Sequence, residues 1–247
     1  MSHTLYLVYS GLQSRADALD VLSHNLANLH SVGYKKQRFA FEIRDVLAAP
    51  GATEIARATN GPLVRTGGRI DLSAGELTET GNPLDLALAG DGFFAVSTPA
   101  GVRYTRNGHF QLSGDGKLVD PSGYPVLSND SQPREITLPP GSIEISPSGQ
   151  ISVDGIEVAT LKVVTFRDLA GMKSLGGGLF EPPPGAQELP PQELRVLQGY
   201  LEESNVDPVA QVMEMVSLMR SFEILSQAAR SLSRDVDDRL VNELAKS

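Results

Sequence analysis

Cysteine and tryptophan are both absent from the 247 residues. Without thiols the fold cannot rest on disulfides or on a cysteine-ligated metal. No run of about 20 apolar residues occurs, so the sequence offers no helix to span a bilayer. The N-terminal stretch has no basic region, and Ser10, Gly11, Gln13 and Arg15 interrupt its apolar residues; no cleaved leader is expected. Positive charge is scarce: 21 Lys and Arg stand against 30 Asp and Glu, a formal charge of -9. A nucleic-acid-binding surface needs the opposite balance. The small basic group Lys35, Lys36 and Arg38 reads as a solvated segment that follows a helix.

Chemistry is also thinly represented. The sequence has no phosphate-binding loop, dinucleotide fingerprint or nucleophile elbow. His24 and His30 are not spaced to share a helix face, and His109, after Asn107-Gly108, reads as a turn residue. Gly90-Asp91-Gly92 and Gly114-Asp115-Gly116 lack the spaced oxygen ligands of a calcium loop and read as turns. Glu76, Glu79 and Asp85 are ordinary carboxylates in an acidic chain. No catalytic residue, cofactor or metal is expected.

What the sequence does contain is two amphipathic helices, one at each end. Met215, Leu218, Phe222, Leu225, Ala229, Leu232, Val236 and Leu240 recur at three-four spacing. Asp207 supplies an N-cap and Pro208 a first helical residue. Further apolar residues lie off that stripe: Val209, Val212, Val216 and Met219. Leu5, Val8, Leu12, Leu19, Leu22, Leu26 and Leu29 form the N-terminal stripe, in a helix expected from about Thr4 to Ser31 and stopped by Gly33 in a left-handed conformation. Gly11 inside it suggests a closely packed neighbour, and Asn25 and Asn28 are candidate register-setting groups. Apolar faces this broad call for neighbours beyond a two-helix pair.

Between the helices, residues 34–69 lack a sustained period and read as a connector. Within it Phe39, Phe41 and Ile43 alternate, and Ala48–Ala52 form a loop. From Ile70 to Phe166, short alternating runs are punctuated by Asp91-Gly92, Asn107-Gly108, Asp115-Gly116, Ser122-Gly123, Ser148-Gly149 and Asp154-Gly155. Such dipeptides accept positive φ in tight hairpins. The clearest hairpin centres on Asp154-Gly155. Residues 168–192 read as loop, and Leu194–Leu201 as a returning strand. The expected architecture is α+β: a helical coiled-coil core from residues 1–33 and 204–247, a connector at 34–69, and an all-β domain of short strands and hairpins at 70–203.

Several of these stretches together resemble bacterial flagellar rod and hook proteins. They are Ser23-His24-Asn25-Leu26-Ala27-Asn28 with Ser31-Val32-Gly33-Tyr34-Lys35; Gly75-Glu76-Leu77; Asn82-Pro83-Leu84-Asp85; Gly90-Asp91-Gly92-Phe93-Phe94; Tyr104-Thr105-Arg106-Asn107-Gly108; and Gly199 through Val206. Met219-Arg220-Ser221-Phe222-Glu223 is similar to the family's Gln-Arg-aromatic-Glu, with methionine in place of the common glutamine.

The resemblance implies a structural subunit exported unfolded through the flagellar type III apparatus without leader cleavage. Its partners would be copies of itself, other rod and hook axial proteins, and the export apparatus. It would stack helically in the periplasmic rod of the basal body, with the terminal helices as an inner coiled-coil layer and the β domain outside. The packing surfaces implied are Leu5, Val8, Leu12, Leu19, Leu22, Asn25, Leu26, Asn28 and Leu29 at one end. At the other they are Val209, Val212, Met215, Leu218, Phe222, Leu225, Leu232, Val236 and Leu240. The short chain favours rod over hook, and its compactness with Met219 favours a proximal over a distal position. The rival reading is a secreted β module that binds glycan or peptidoglycan, weakened by the missing tryptophan. A wall-opening hydrolase stands third.

Overall fold

The last helix begins where its capping signals place it. Asp207 Oδ1 accepts the amide protons of Val209 at 2.9 Å and Ala210 at 3.1 Å, and Pro208 opens a helix that runs to Leu244. The computed structural model describes residues 2–44, 63–130, 132–167, 169, 171–191 and 195–244; within these, side chains 2–8, 40–44, 63–67 and 232–244 are outside the description. Helix α1 spans Ser2–Ala27 and α2 spans Pro208–Leu244.

Helix α1 stops four residues short of the expected Ser31. The Ser31 amide donates to Asn28 O at 3.1 Å, and Ser31 Oγ donates to Asn28 Oδ1 at 3.1 Å. Short polar side chains of this kind offer the backbone a turn in place of another helical bond. Gly33 is left-handed, with φ 67°, but it does not cap α1. Its amide donates to Glu202 O at 2.7 Å, and a Cβ at this position would lie 2.3 Å from the Arg106 carbonyl carbon. Gly11 also departs from expectation: a Cβ there would meet nothing nearer than 3.7 Å, so no close approach requires it.

Two compact units divide the chain. The helical unit comprises Met1–Ala27, Gln37–Gly68 and Asp207–Ser247, and the β unit comprises Asn28–Lys36 and Arg69–Val206. In the helical unit α1 and α2 pack on one another, and β1 (Gln37–Arg44) pairs with β2 (Leu63–Ile70). The Phe39, Phe41, Ile43 alternation thus lies in a strand. Strand β2 falls within the stretch read as connector; its Gly67-Gly68 interrupts the apolar alternation that would have revealed it. The Ala48–Ala52 loop lies outside the described residues.

The β unit is built from short antiparallel strands. They are β3 (Leu77–Glu79), β4 (Leu86–Ala89), β5 (Phe93–Thr98), β6 (Gly101–Thr105), β7 (Gln111–Leu112), β8 (Leu118–Val119), β9 (Ile143–Ile145), β10 (Gln150–Val153) and β11 (Ile156–Thr160). There follow β12 (Val163–Phe166), β13 (Lys173–Gly176), β14 (Leu179–Glu181), β15 (Glu188–Leu189), β16 (Arg195–Gln198) and β17 (Tyr200–Glu202). The largest sheet has six strands in the order β13-β14-β6-β5-β12-β15.

Strand β5 sits at its heart because both of its faces are apolar. Phe94 and Val96 enter one cluster with Leu86, Phe110, Leu118, Val126 and Ile151. Phe93 and Ala95 enter a second with Tyr104, Val164, Phe166 and Phe180. The period-two geometry of a strand sends alternate side chains to opposite faces, so one strand nucleates two cores. The Phe94 and Phe110 rings meet edge to face at 5.1 Å, a favoured aromatic geometry.

Asp154 and Gly155 take φ of 51° and 79° and join β10 to β11 as a two-residue hairpin, with Val153 opposite Ile156. The segment read as loop between 168 and 192 is in part a second hairpin. Gly176, Gly177 and Gly178, all at positive φ, turn β13 into β14. A glycine run that looked like linker is the turn that only glycine makes at no steric cost.

Candidate functional site

Two features of the structure have functional weight: the surfaces of the terminal helices, and a buried charge cluster in the β unit.

On α1 the most buried side chains are Ser14, Ala18, Leu22 and Asn25, one face at three-four spacing. Of the leucine stripe, Leu22 lies on that face. Leu12, Leu19 and Leu26 lie about a quarter to a third of a turn from its centre and are only half-buried, as is Leu29. Small residues line the seam because they let two helix backbones approach. On α2, Gln211 and Ala229 are buried, and Met215, Leu218, Phe222 and Leu225 are half-buried along the same line.

A second α2 stripe faces away from that line: Val209, Val212, Met213, Val216, Met219 and Ile224 are all exposed, Met213 at 69% and Ile224 at 68%. Tyr9 of α1 is also exposed. The side chains of Leu5, Val8, Leu232, Val236 and Leu240 lie outside the described residues.

Asn25 and Asn28 part company. Asn25 is 1% exposed, and its amide binds the Gln37 backbone twice: Gln37 N donates to Oδ1 at 2.8 Å and Nδ2 donates to Gln37 O at 2.9 Å. The same Nδ2 donates to Gln211 Oε1 at 3.0 Å. One side chain thereby fixes the end of α1, the start of β1 and the first turns of α2 against each other. Asn28 is half-buried and serves the turn after α1.

The charge cluster overturns the reading of Lys35 as solvated. Lys35 is 2% exposed. Its Nζ donates to Glu202 Oε1 at 2.5 Å and to Ser73 O at 2.7 Å. Glu202 Oε1 also accepts the Gly75 amide at 2.9 Å, and Oε2 accepts from Arg106 Nη1 at 3.2 Å. Arg106 further donates to Gly90 O at 2.7 Å, and its guanidinium lies 5.4 Å from the Phe93 ring centre, in range for a cation–π contact. One carboxylate thus holds two cations in the interior. Burial pulls the Lys35 ammonium below its ordinary pKa, against the opposing pull of Glu202, and burial likewise lowers Arg106.

Asn205 extends the cluster. Its Oδ1 accepts the Lys36 amide at 2.7 Å, and its Nδ2 donates to Asp71 O at 2.9 Å and to Ser73 O at 3.0 Å. Lys36 Nζ lies 3.5 Å from Asp71 Oδ2. Gly75 has to be glycine, since a Cβ would sit 2.0 Å from Glu203 O.

Sequence reasoning overlooked this cluster. The available signal was the alternation Val196, Gln198, Tyr200, which carried one step further puts the Glu202 carboxylate on the inward side of a strand.

His109 does more than occupy a turn. Its Nδ1 lies 2.7 Å from Asp85 Oδ1, and Thr80 Oγ1 donates to Asp85 Oδ2 at 2.7 Å. Asp85 is buried while the imidazole is half exposed. The arrangement joins two loops of the β unit, the one between β3 and β4 and the one between β6 and β7. An open cleft of about 750 Å³ is lined by Gly90, Asp91, Thr165, Arg167, Leu189, Pro190 and Pro191, a set with a single carboxylate. His24 and His30 are exposed.

Comparison with known proteins accounts for this combination of helical ends and β middle. Residues 87–153 match the family described as the flagellar hook protein FlgE/F/G D1 domain, and residues 197–233 match the flagellar basal body rod FlgEFG protein C-terminal family. The flagellar basal-body rod protein FlgG of Bacillus subtilis is 32% identical over 270 residues, covering 98% of this chain and 99% of its own. The chain belongs to the flagellar basal-body rod protein family. Another relative, the rod protein FlgF of Caulobacter vibrioides, is 30% identical over 245 residues, with 97% and 98% covered. FlgF of Mesorhizobium japonicum is 27% identical over 241 residues, with 97% of each chain covered.

The first match runs from β4 to the end of β10 and holds most of the buried residues of the first hydrophobic cluster and half of those of the second. The second starts in β16 and includes Glu202, Asn205 and the exposed stripe of α2.

Proposed function

We propose that this chain is a structural subunit of the flagellar basal-body rod, without catalytic activity of its own. Its relatives are named for that role and match it end to end. The observation that carries the reading is the second apolar stripe of α2. Val209, Val212, Met213, Val216, Met219 and Ile224 stand in solvent in the single chain, although α2 already has a helical partner. An exposed apolar face of this extent marks an interaction surface. Successive copies and other axial subunits cover it, and non-identical surfaces repeated in this way generate a helical array.

In this reading the terminal helices form the coiled-coil inner layer of a tube that transmits torque. Leu12, Leu19, Leu26 and Leu29 of α1 join the α2 stripe as packing surface, together with Leu5, Val8, Leu232, Val236 and Leu240. The division into residues 1–33 with 204–247, 34–69 and 70–203 describes the assembled subunit. The chain reaches the periplasmic basal body through the flagellar export apparatus without loss of a leader, and takes a proximal place.

The test replaces Met213 and Val216 by aspartate. The purified double variant keeps the far-ultraviolet dichroism and melting temperature of the parent, because exposed positions alter stability by only about 0.5 kcal/mol. Cells carrying it assemble basal bodies with truncated rods, seen by electron microscopy, and do not swim. Complete rods built from the variant would refute the assignment of this face.

A further inference from the structure

The segments that Glu202 ties together are far apart in the chain. Lys35 precedes it by 167 residues and Arg106 by 96; Gly75 precedes it by 127. We propose that Glu202 is a latch carboxylate, which keeps residues 28–36 and 71–75 open until β17 is laid down and then closes them together.

Before Glu202 arrives, closing these segments would bury the Lys35 ammonium and the Arg106 guanidinium near each other without the carboxylate that contacts both, leaving only the longer-range attraction of Asp71 and Asp91. An unpaired buried charge is strongly disfavoured. Each cation has backbone partners in the closed state, Ser73 O for Lys35 and Gly90 O for Arg106; Asp71 and Asp91 act on them at longer range, and Glu202 is the carboxylate that pairs with both. Asn205, three residues on, closes the same segments through Lys36, Asp71 and Ser73. The fit is also steric. Gly33 and Gly75 pack so tightly on Arg106 and Glu203 that neither tolerates a Cβ.

The rest of the β unit does not wait. The β5–β6 and β10–β11 hairpins are local, and local pairings close fastest. A chain lacking its last strand therefore has partly formed β structure while the stretch leading out of α1 remains unlocked. The proposal concerns folding order and does not depend on the rod reading.

Pulse-labelled hydrogen exchange during refolding of the full chain tests it. The reporter amides are those of Gly33, Lys36, Asp71, Gly75 and Glu203. They are expected to gain protection in one phase, after the β5–β6 and β10–β11 hairpins. Protection of Gly33 and Asp71 ahead of Glu203 would overturn the latch without any variant. At equilibrium Glu202→Gln should lower protection at the reporters about a hundredfold and leave β5 and β10 within about twofold. Lys35→Met retains the Arg106–Glu202 pair, so it should weaken Gly33 and Lys36 but spare Gly75. Unchanged reporters in Glu202→Gln, or equal loss at all reporters in both variants, would also overturn the proposal.

Discussion

Glu202 and Lys35 differ in consequence although they share an ion pair. Removing Glu202 strands two buried cations, a loss of about 3–5 kcal/mol for a broken interior pair. Removing Lys35 leaves Glu202 still neutralised by Arg106 at 3.2 Å. Urea denaturation should therefore show Glu202→Leu to be substantially less stable than Lys35→Met. Tyr34, beside Lys35, adds a pH signature. Burial pushes its hydroxyl up to about 12 from an ordinary value of 10.0. The folded protein thus holds that proton more tightly than the unfolded chain. The stabilisation is complete below pH 10 and is lost as pH rises toward 12. Tyr34→Phe should flatten that part of the alkaline decline in melting temperature, and an unaltered slope would contradict it. None of this was legible in residue types alone. Lys35 with Lys36 and Arg38 looks like a solvated basic run, because the carboxylate that buries it lies at the far end of the sequence.

At the scale of elements, the sequence disclosed what depends on local pattern. The Asp207-Pro208 start of α2 and the Asp154-Gly155 hairpin are set by caps and positive-φ turns a few residues long, and both stand where those signals put them. The seam of α1 was legible only in part, for a physical reason. Apolar periodicity finds large side chains, so it marks Leu12, Leu19 and Leu26 together with Leu22; Leu22 and Asn25 lie on the buried face, which Ser14 and Ala18 complete. Burial at a close helix contact is decided by size as much as by hydrophobicity. The Gly176–Gly178 turn and strand β2 were missed because glycine reads as linker wherever its partner strand is out of view. Gly11 gives a direct test at this scale. With 3.7 Å of clearance for a Cβ, Gly11→Ala should stabilise α1 by about 0.5–1 kcal/mol through helix propensity. The check is an increase in the urea midpoint at unchanged slope. Ala18→Leu, on the closed seam, should instead destabilise by about 1–3 kcal/mol.

At the scale of the whole molecule, the helices have two duties, and the two sets of residues are separable. Seam residues such as Ala18 and Leu22 hold the single subunit together; the outward residues Met213 and Val216 are exposed and, in the assembly proposed above, meet other subunits. Substitutions in the first set should reduce the yield of folded protein, and those in the second should spare folding but abolish rods. Membership of the rod family was readable from motifs spread along the chain, since those motifs include the glycines and polar residues that close the β unit. The proximal place proposed above rests on the compact chain and Met219 alone, because FlgF and FlgG relatives match at similar identity over nearly the full length.

The tip of the β10–β11 hairpin has a practical corollary. Nothing lies within 4 Å of where a Gly155 side chain would begin, and the adjoining Ile156 is 72% exposed. Because the protein contains no native thiol, Ile156→Cys would carry a dye or a gold particle at one known address on every copy, leaving both hydrophobic clusters and both helices untouched.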